Sequence, residues 1–361
     1  MPQKEKKKIL IISKYLPTKK EGMECRLASL IPLFKKKYHV RCIRSDTYGN
    51  FKKYKNIYNY ENKIGVRFIT IKTYKFNKRF FSIYRIFSWL DFEYKLFKLK
   101  DKFKPNIVYI SSLSLLTIIY GVYLKKKFNA KLIFEMRDLI PYTFYYTNKF
   151  SKFNPMIIFL GLIEKIGIKN SNLIVGLVPR IKDYIKFRGF MNKKVISSSF
   201  PVNIKYFKHY KNTKIDKFFN VCYAGNFGFD NYVSDLLELI SKLKKIDNII
   251  FHFIGDGSLK NSLAKKYKNY SNIKFHNHIN SIRLHKKLSK MDLLLVSFNL
   301  ETKLKNFGYE LNKLNNYMMA AKPILILGKK NNLSKKRGNF VFVNSKNKIR
   351  QIIVFFVLNI L

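Results

Sequence analysis

Short apolar runs separated by amphipathic stretches recur along most of this chain. Residues 8–13 place four consecutive apolar positions behind a lysine cluster, 107–110 and 132–134 are further runs of the same kind, and 39–43 reads as another strand. Unbroken apolar runs of this length fit strands buried on both faces of a parallel sheet. Between them, 26–34 and 157–168 carry apolar residues at helical spacing. The second half repeats the arrangement: 219–224, 249–257 and 291–296 read as strands or strand and turn, and 234–243 as a helix. Strands alternating with helices predict an α/β class built from doubly wound parallel sheets. At 361 residues the chain can bury two medium cores, so two domains are expected.

The stretch 307–327, FGYELNKLNNYMMAAKPILIL, shows this logic in miniature. Leu314, Tyr317, Met318 and Ala321 recur at helical spacing, which predicts a helix over 312–321. Lys322-Pro323 would stop it, because proline cannot continue a helix and restricts its predecessor. The apolar run 324–327 then reads as a buried strand. Asn312 is placed to cap the helix and Lys313 falls in its first turn. A helix N-terminus beside a lysine is an anion site, although an ordinary αβ unit would share the spacing.

Other positions carry chemistry of the same sort. Glu135, Arg137 and Asp138 sit at the carboxyl end of the run 132–134, where ligands of doubly wound sheets bind. An Arg137–Glu135 or Arg137–Asp138 ion pair tying loops together is the alternative. Gly225 and Gly228, flanking Asn226 and Phe227 after the run 219–224, can let a phosphate approach backbone N–H groups. The loop 276–279 holds two histidines without a carboxylate or thiol partner, so no metal site is expected there.

Several of these stretches resemble one family. Around the run 307–327, family 4 retaining glycosyltransferases of the GT-B fold carry Pro-x-Lys-Leu-x-Glu-Tyr-Met-Ala-Ala-Gly-Lys-Pro in their polysaccharide branch. Lys313-Leu314, Tyr317-Met318, Ala320 and Lys322-Pro323 match it. Asn316 stands where the family is acidic, Ala321 where it has glycine, and Gly308 where it has an earlier glutamate. Glu135-Met136-Arg137-Asp138 with Pro141 matches that branch's Glu-x-Arg-Asp-x-x-Pro, and Tyr223 to Gly228 its Tyr-x-Gly-Asn-x-Gly. Phe253 to Gly257 matches Phe-Ile-Gly-Asp-Gly, which brings in Gly255. Glu164 matches a helical glutamate that precedes a strand, here 172–175. The family's interdomain turn is similar to 200–203, which sets domains of 1–200 and 201–361.

The resemblance implies two facing Rossmann-like domains with a cleft between them. It implies transfer of a sugar, with retention, from a nucleotide sugar that is UDP-linked to a lipid-linked or polysaccharide acceptor in bacterial O-antigen or capsule synthesis. The donor would lie on the C-terminal domain, near Gly225, Asn226, Gly228, Gly255, Glu310, Asn312, Lys313, Leu314 and Asn316. A polyprenyl-diphosphate-linked saccharide would lie on the N-terminal domain, served by Glu135, Arg137 and Asp138 as catalytic residues. No metal and no cofactor beyond the donor substrate is implied. Family members end in further helices that cross back; here one apolar helix, 348–361, stands in that place, so this clamp is expected to be cut short. A lapsed nucleotide-sugar-binding protein and a GT-B sugar-nucleotide epimerase are the alternatives.

Charge changes the picture at one point. The net charge is +51, but only 12 of the 72 basic residues are Arg. A nucleic-acid reader would favour Arg for bidentate contacts, and no recognition helix or zinc spacing is present, so no nucleic acid is expected. Anionic lipid attracts such a chain at roughly 1 kcal/mol per basic group at the surface. Residues 50–104, dense in Lys and aromatics, are the expected contact, or else an amphipathic helix on the sheet. The uncharged stretch 107–124 reads as strand, serine loop and helix rather than a membrane span. The run 9–12 is too short for a signal peptide, and Cys25, Cys42 and Cys222 have no paired spacing. A cytoplasmic protein at the inner membrane face is the expectation.

Overall fold

A computed structural model of the chain describes residues 6–17, 25–46, 58–74, 83–112, 114–146, 150–200, 218–228, 232–241, 248–279, 281–297, 306–308, 312–327 and 340–343. The chain divides into two compact units, residues 1–201 with 306–310, and residues 202–305 with 311–361.

Unit one alternates β1 (Lys8–Ile12), α1 (Arg26–Lys37), β2 (His39–Ser45), α2 (Tyr58–Ile64), β3 (Arg67–Ile71), α3 (Ile83–Lys98) and β4 (Ile107–Ser112). It continues with α4 (Thr117–Phe128), β5 (Lys131–Met136), α5 (Tyr142–Tyr146), α6 (Pro155–Asn170), β6 (Leu173–Gly176), α7 (Ile181–Phe187) and β7 (Val195–Ser197). The sheet order is β3-β2-β1-β4-β5-β6-β7, with every neighbouring pair parallel. Direction reverses between β1 and β4, whose carboxyl ends therefore frame the unit's topological switch point. The stretch 107–124 is β4, a serine-containing loop and the start of α4; among the described residues no helix is long and apolar enough to cross a membrane.

Unit two contains β8 (Phe219–Ala224), α8 (Val233–Ser241), β9 (Ile249–Ile254), α9 (Lys260–Lys266), β10 (Ile273–His276) and α10 (Ser281–Leu288). β11 (Leu293–Ser297), α11 (Asn312–Met319), β12 (Ile324–Leu327) and β13 (Phe340–Val343) come next. Its sheet order is β10-β9-β8-β11-β12-β13, again parallel. Strand alternation feeds two cores. Phe219, Val221 and Tyr223 of β8 join one with Leu293 and Leu295; Cys222 and Ala224 join the other with Leu294 and Val296. A fully buried Leu or Phe side chain contributes about 1.5–3 kcal/mol, so these apolar strand residues are what hold the sheet between its helix layers.

Details depart from the sequence reading. Helix α11 ends at Met319, two residues before the expected stop, and Ala321 adopts a left-handed φ of 52°. The helix therefore turns off at the position where the resembling family has glycine, not at Lys322-Pro323. His276 lies in β10 rather than in a loop. The terminal helix expected over 348–361 and the turn at 201–203 lie outside the described residues.

Candidate functional site

Unit two reverses its sheet between β8 and β11, and the loop after β8 carries Gly225 and Asn226 there. Helix α11 is fastened to that point by Tyr317. Its buried hydroxyl accepts the Ala224 N–H at 2.6 Å and lies 3.2 Å from the Ala224 carbonyl, to which it donates. Leu314 is buried beside it in the core. This fixes the face of α11 that carries Lys313. The Lys313 ammonium donates to the Tyr223 hydroxyl at 3.1 Å and stands 4.5 Å from the centre of that ring. A Cβ on Gly225 would lie 3.1 Å from Lys313 Nζ, so glycine keeps the ammonium open to the backbone turn. Burial lowers the Lys313 pKa to about 8.

The neighbouring loop after β9 closes on the same turn. A Cβ on Gly255 would fall 1.9 Å from the Gly225 carbonyl oxygen, so only glycine allows β8 and β9 to end together. The sequence reads Gly225 and Gly228 as a turn that a phosphate can approach, and the resemblance adds Asn226 and Gly255 to the donor site. Three N–H groups there are already committed: Gly225 donates to the Ile254 carbonyl at 2.9 Å, Phe227 to the Asp256 carbonyl at 2.9 Å and Gly255 to the His276 carbonyl at 3.3 Å. The Lys313 ammonium stands beside this turn. Asn226 is exposed and Gly228 half-buried.

Asn312 is the first residue of α11 rather than the residue before it. Asn316, half-buried, comes three positions after Lys313 and so shares its helix face. Glu310 lies outside the described residues. Gly308 is buried with φ 80°, and its Cβ would crowd Pro179 at 3.1 Å. A glutamate at 308 would therefore be strained as well as unsolvated.

In unit one Glu135 requires the main correction. β5 runs on to Met136, so Glu135 is a strand residue, fully buried rather than presented at the strand end. Its carboxylate accepts from Arg26 and Tyr109 at one oxygen and from Ser111 at 3.0 Å at the other. Arg26 also donates to the Ser198 hydroxyl at 2.7 Å and the Ser199 carbonyl at 3.3 Å. Glu135 thus ties α1, β4, β5 and, through Arg26, the segment after β7. Arg137, half-buried, and Asp138, exposed, come directly after the strand. Glu164 is likewise buried, holding Tyr184 at 2.5 Å and Arg188 at 2.6 Å, and burial raises its pKa to about 7.

Sequence reasoning missed Lys14 and Glu93, buried groups near the β1–β4 switch point. Lys14 Nζ donates to the Ser88 carbonyl at 2.8 Å and hydroxyl at 3.1 Å. Burial lowers the Lys14 pKa to about 7 and raises that of Glu93 to about 7, the latter against bonds from Thr117 and Ser114. The available signal was a lysine immediately after an apolar strand. Tyr223 and Tyr317 were legible as motif matches, but their hydrogen-bonding roles were not.

The sequence matches no protein-family model and no curated protein. Its architecture does match solved structures over nearly its full length. The Anabaena protein Alr3699/HepE, solved with UDP, is 11% identical and aligns over 98% of this chain and 90% of its own, with a TM-score of 0.66. The fold is GT-B. Sucrose-phosphate synthase of Thermosynechococcus elongatus shares this GT-B architecture at 14% identity and TM-score 0.70, over 98% of this chain and 90% of that one. WaaG, a glycosyltransferase involved in lipopolysaccharide biosynthesis, does so at 12% identity and TM-score 0.61, over 97% and 90%.

Proposed function

We propose that this protein is a glycosyltransferase. It moves a sugar from a nucleotide sugar, UDP-linked, to a polyprenyl-diphosphate-linked or polysaccharide acceptor, with retention at the anomeric carbon. The bond from that carbon to the diphosphate oxygen breaks, and a bond to an acceptor oxygen forms. The acceptor hydroxyl's proton leaves with the diphosphate. The protein's task is to stabilise negative charge building on the leaving group.

The observation that carries this reading is the Lys313 ammonium, fixed 3.1 Å from Tyr223 Oη beside Gly225. Arg137 and Asp138 orient donor and acceptor hydroxyls. HepE and TarM of S. aureus, both GT-B structures, were solved with UDP, which favours this nucleotide as the donor's leaving group. Association with an anionic membrane face would bring the enzyme to a lipid-borne acceptor.

One observation favours a second reading: Gly308 and Asn316 supply no carboxylate where family 4 has two. A catalytically lapsed nucleotide-sugar binder fits that loss. Incubation with radiolabelled UDP-sugars and a membrane extract separates the readings. Label in the lipid fraction supports transfer. An altered free nucleotide sugar indicates an epimerase, and UDP binding without either change indicates a lapsed protein.

A further inference from the structure

Three helices of unit one lie side by side: α3 packs on α4, and α4 packs on α6. Phe97 of α3 meets Tyr120 and Tyr123 of α4 at ring-centroid distances of 4.9 and 5.9 Å. A Cβ on Gly167 of α6 would stand 2.7 Å from Ile118 of α4, so those two backbones are also close. The inner faces of the three helices are conventional core. Phe92 and Leu96, Ile118 and Leu124, and Ile157 and Ile163 are buried.

The outer faces are not conventional. On α3 the exposed residues Tyr84, Phe87, Leu90, Tyr94 and Phe97 recur every three or four positions. On α4 Ile119 and Tyr123 are exposed one turn apart. On α6 Ile158, Phe159, Leu162 and Ile166 form a continuous outward stripe. These eleven side chains are between 39% and 59% exposed, across adjacent helices. Contiguous apolar surface of this extent marks an interaction face. At one end of α3, Tyr74 and Tyr84 stack above a groove of about 740 Å³ that Phe87, Leu90 and Tyr94 also line.

Charge selects the partner. Lysines concentrate toward the carboxyl-terminal ends of all three helices: Lys95 and Lys98 on α3, Lys125 to Lys127 on α4, Lys165 and Lys169 on α6. Acidic groups are withdrawn. α4 has none, Glu93 and Glu164 are buried, and Asp91 is paired with Lys95 at 2.9 Å. Parallel helices in one layer bring those ends to one edge, so an apolar band is bordered by a cationic one. An anionic leaflet offers both complements, hydrocarbon for the band and phosphate for the border.

We propose that the outer face of α3, α4 and α6 is a membrane-insertion surface for anionic bilayers. It rests on the reading of a membrane-borne acceptor and assigns the face that reaches it. Binding on this surface has two parts. The lysine part is screened by salt, and the apolar part is not.

The test uses the full-length protein and sedimentation with vesicles of phosphatidylcholine, with or without phosphatidylglycerol. Wild type should bind the phosphatidylglycerol vesicles and keep a measurable fraction in high salt. Phe159→Ser with Leu162→Ser, and separately Phe87→Ser with Tyr94→Ser, should each weaken binding by roughly tenfold or more and abolish the salt-resistant fraction. Lys126→Gln with Lys127→Gln should reduce low-salt binding and spare that fraction. UDP affinity, measured on the same samples, checks that each variant is folded and should not change. If wild type binds UDP but ignores vesicles, or if both apolar variants bind like wild type, the membrane face is wrong. Self-association that the α6 variant abolishes, without vesicle binding, would assign the surface to a second copy and also overturn the proposal. Vesicle binding without UDP binding would defeat the donor reading and leave this face standing.

Discussion

Lys313 is a lysine whose surroundings make its charge costly, which is the property wanted of a group that waits for a diphosphate. Burial lowers its pKa to about 8, and its contacts include one phenol hydroxyl and one ring face. An arriving diphosphate supplies a countercharge near the Gly225 turn. Lys313→Ala should weaken UDP binding by about 1.5–3 kcal/mol, the range for a charged hydrogen bond. UDP affinity of the native protein should also decline as pH rises through about 8, because the ammonium loses its proton. Calorimetry at two pH values checks both, and an unchanged affinity in Lys313→Ala would remove the residue from the site. Three positions on, Asn316 offers one acceptor oxygen where a carboxylate offers two. Asn316→Glu should tighten UDP binding by roughly 1 kcal/mol, about fivefold. If Glu310 holds the ribose instead, Asn316→Glu would weaken binding by repulsion and Glu310→Gln would weaken it as well. Gly308 cannot take over this task, since its φ of 80° and its contact with Pro179 leave a glutamate no relaxed conformation.

At the scale of elements, helix ends and strand registers decide what the sequence pattern left open. The apolar runs located the strands, because in a parallel sheet both faces are buried and no alternation is needed. They could not locate Glu135 inside β5 or its partner Arg26, 109 positions away, since a carboxylate in a buried strand contradicts the local pattern. Nor could they show that α11 stops at Met319. Ala321 has φ 52°, a conformation that costs an L-residue roughly 1–2 kcal/mol relative to glycine, partly offset by glycine's extra unfolded-chain entropy. Ala321→Gly should therefore stabilise unit two by up to about 1 kcal/mol, read as a raised urea midpoint with unchanged m-value. A lowered midpoint would mean that the Ala321 methyl contributes packing worth more than the strain.

A second element-level device joins α10 to the sheet. Lys287 Nζ donates to His276 Nδ1 at 3.2 Å, which places the His276 proton on Nε2, 2.9 Å from His252 Nδ1. His252 Nε2 then donates to Asn220 Oδ1 at 3.0 Å. The chain runs one way only with both rings neutral. Burial, then Lys287, Lys274 and Lys260, lowers the His276 pKa below its ordinary value. The neutral form is thus favoured in the folded state, while an unfolded histidine titrates near 6.5. The resulting stability is fully present above about pH 6.5 and is lost as pH falls through the lower folded-state value. His276→Gln should flatten the difference between urea midpoints at neutral and mildly acidic pH. Equal pH sensitivity in the variant would assign the effect to other groups.

Across the whole molecule, the two units divide the chemistry as they divide the chain. The Lys313 site is assembled from β8, β9 and α11, all of unit two, whereas Arg137 and Asp138 come after β5 of unit one. Each set lies beyond the carboxyl end of a parallel strand, where this class of sheet binds ligands. If nucleotide recognition resides in unit two, a change at Arg137 should separate binding from turnover. Arg137→Ala removes a guanidinium that the proposed mechanism uses to orient hydroxyls, and leaves Lys313, Tyr223 and the glycine turns untouched. The expected result is UDP affinity within about twofold of native by calorimetry, because sites without shared partners behave nearly independently. Transfer of labelled sugar should meanwhile fall by roughly 10²-fold or more, the order of loss when a transition-state contact is removed. Arg137→Lys should not restore it, since a single ammonium cannot reproduce the planar pair of donors. A parallel loss of UDP affinity and transfer in Arg137→Ala would instead place Arg137 on the diphosphate, and Lys313 would then share a task assigned to it alone.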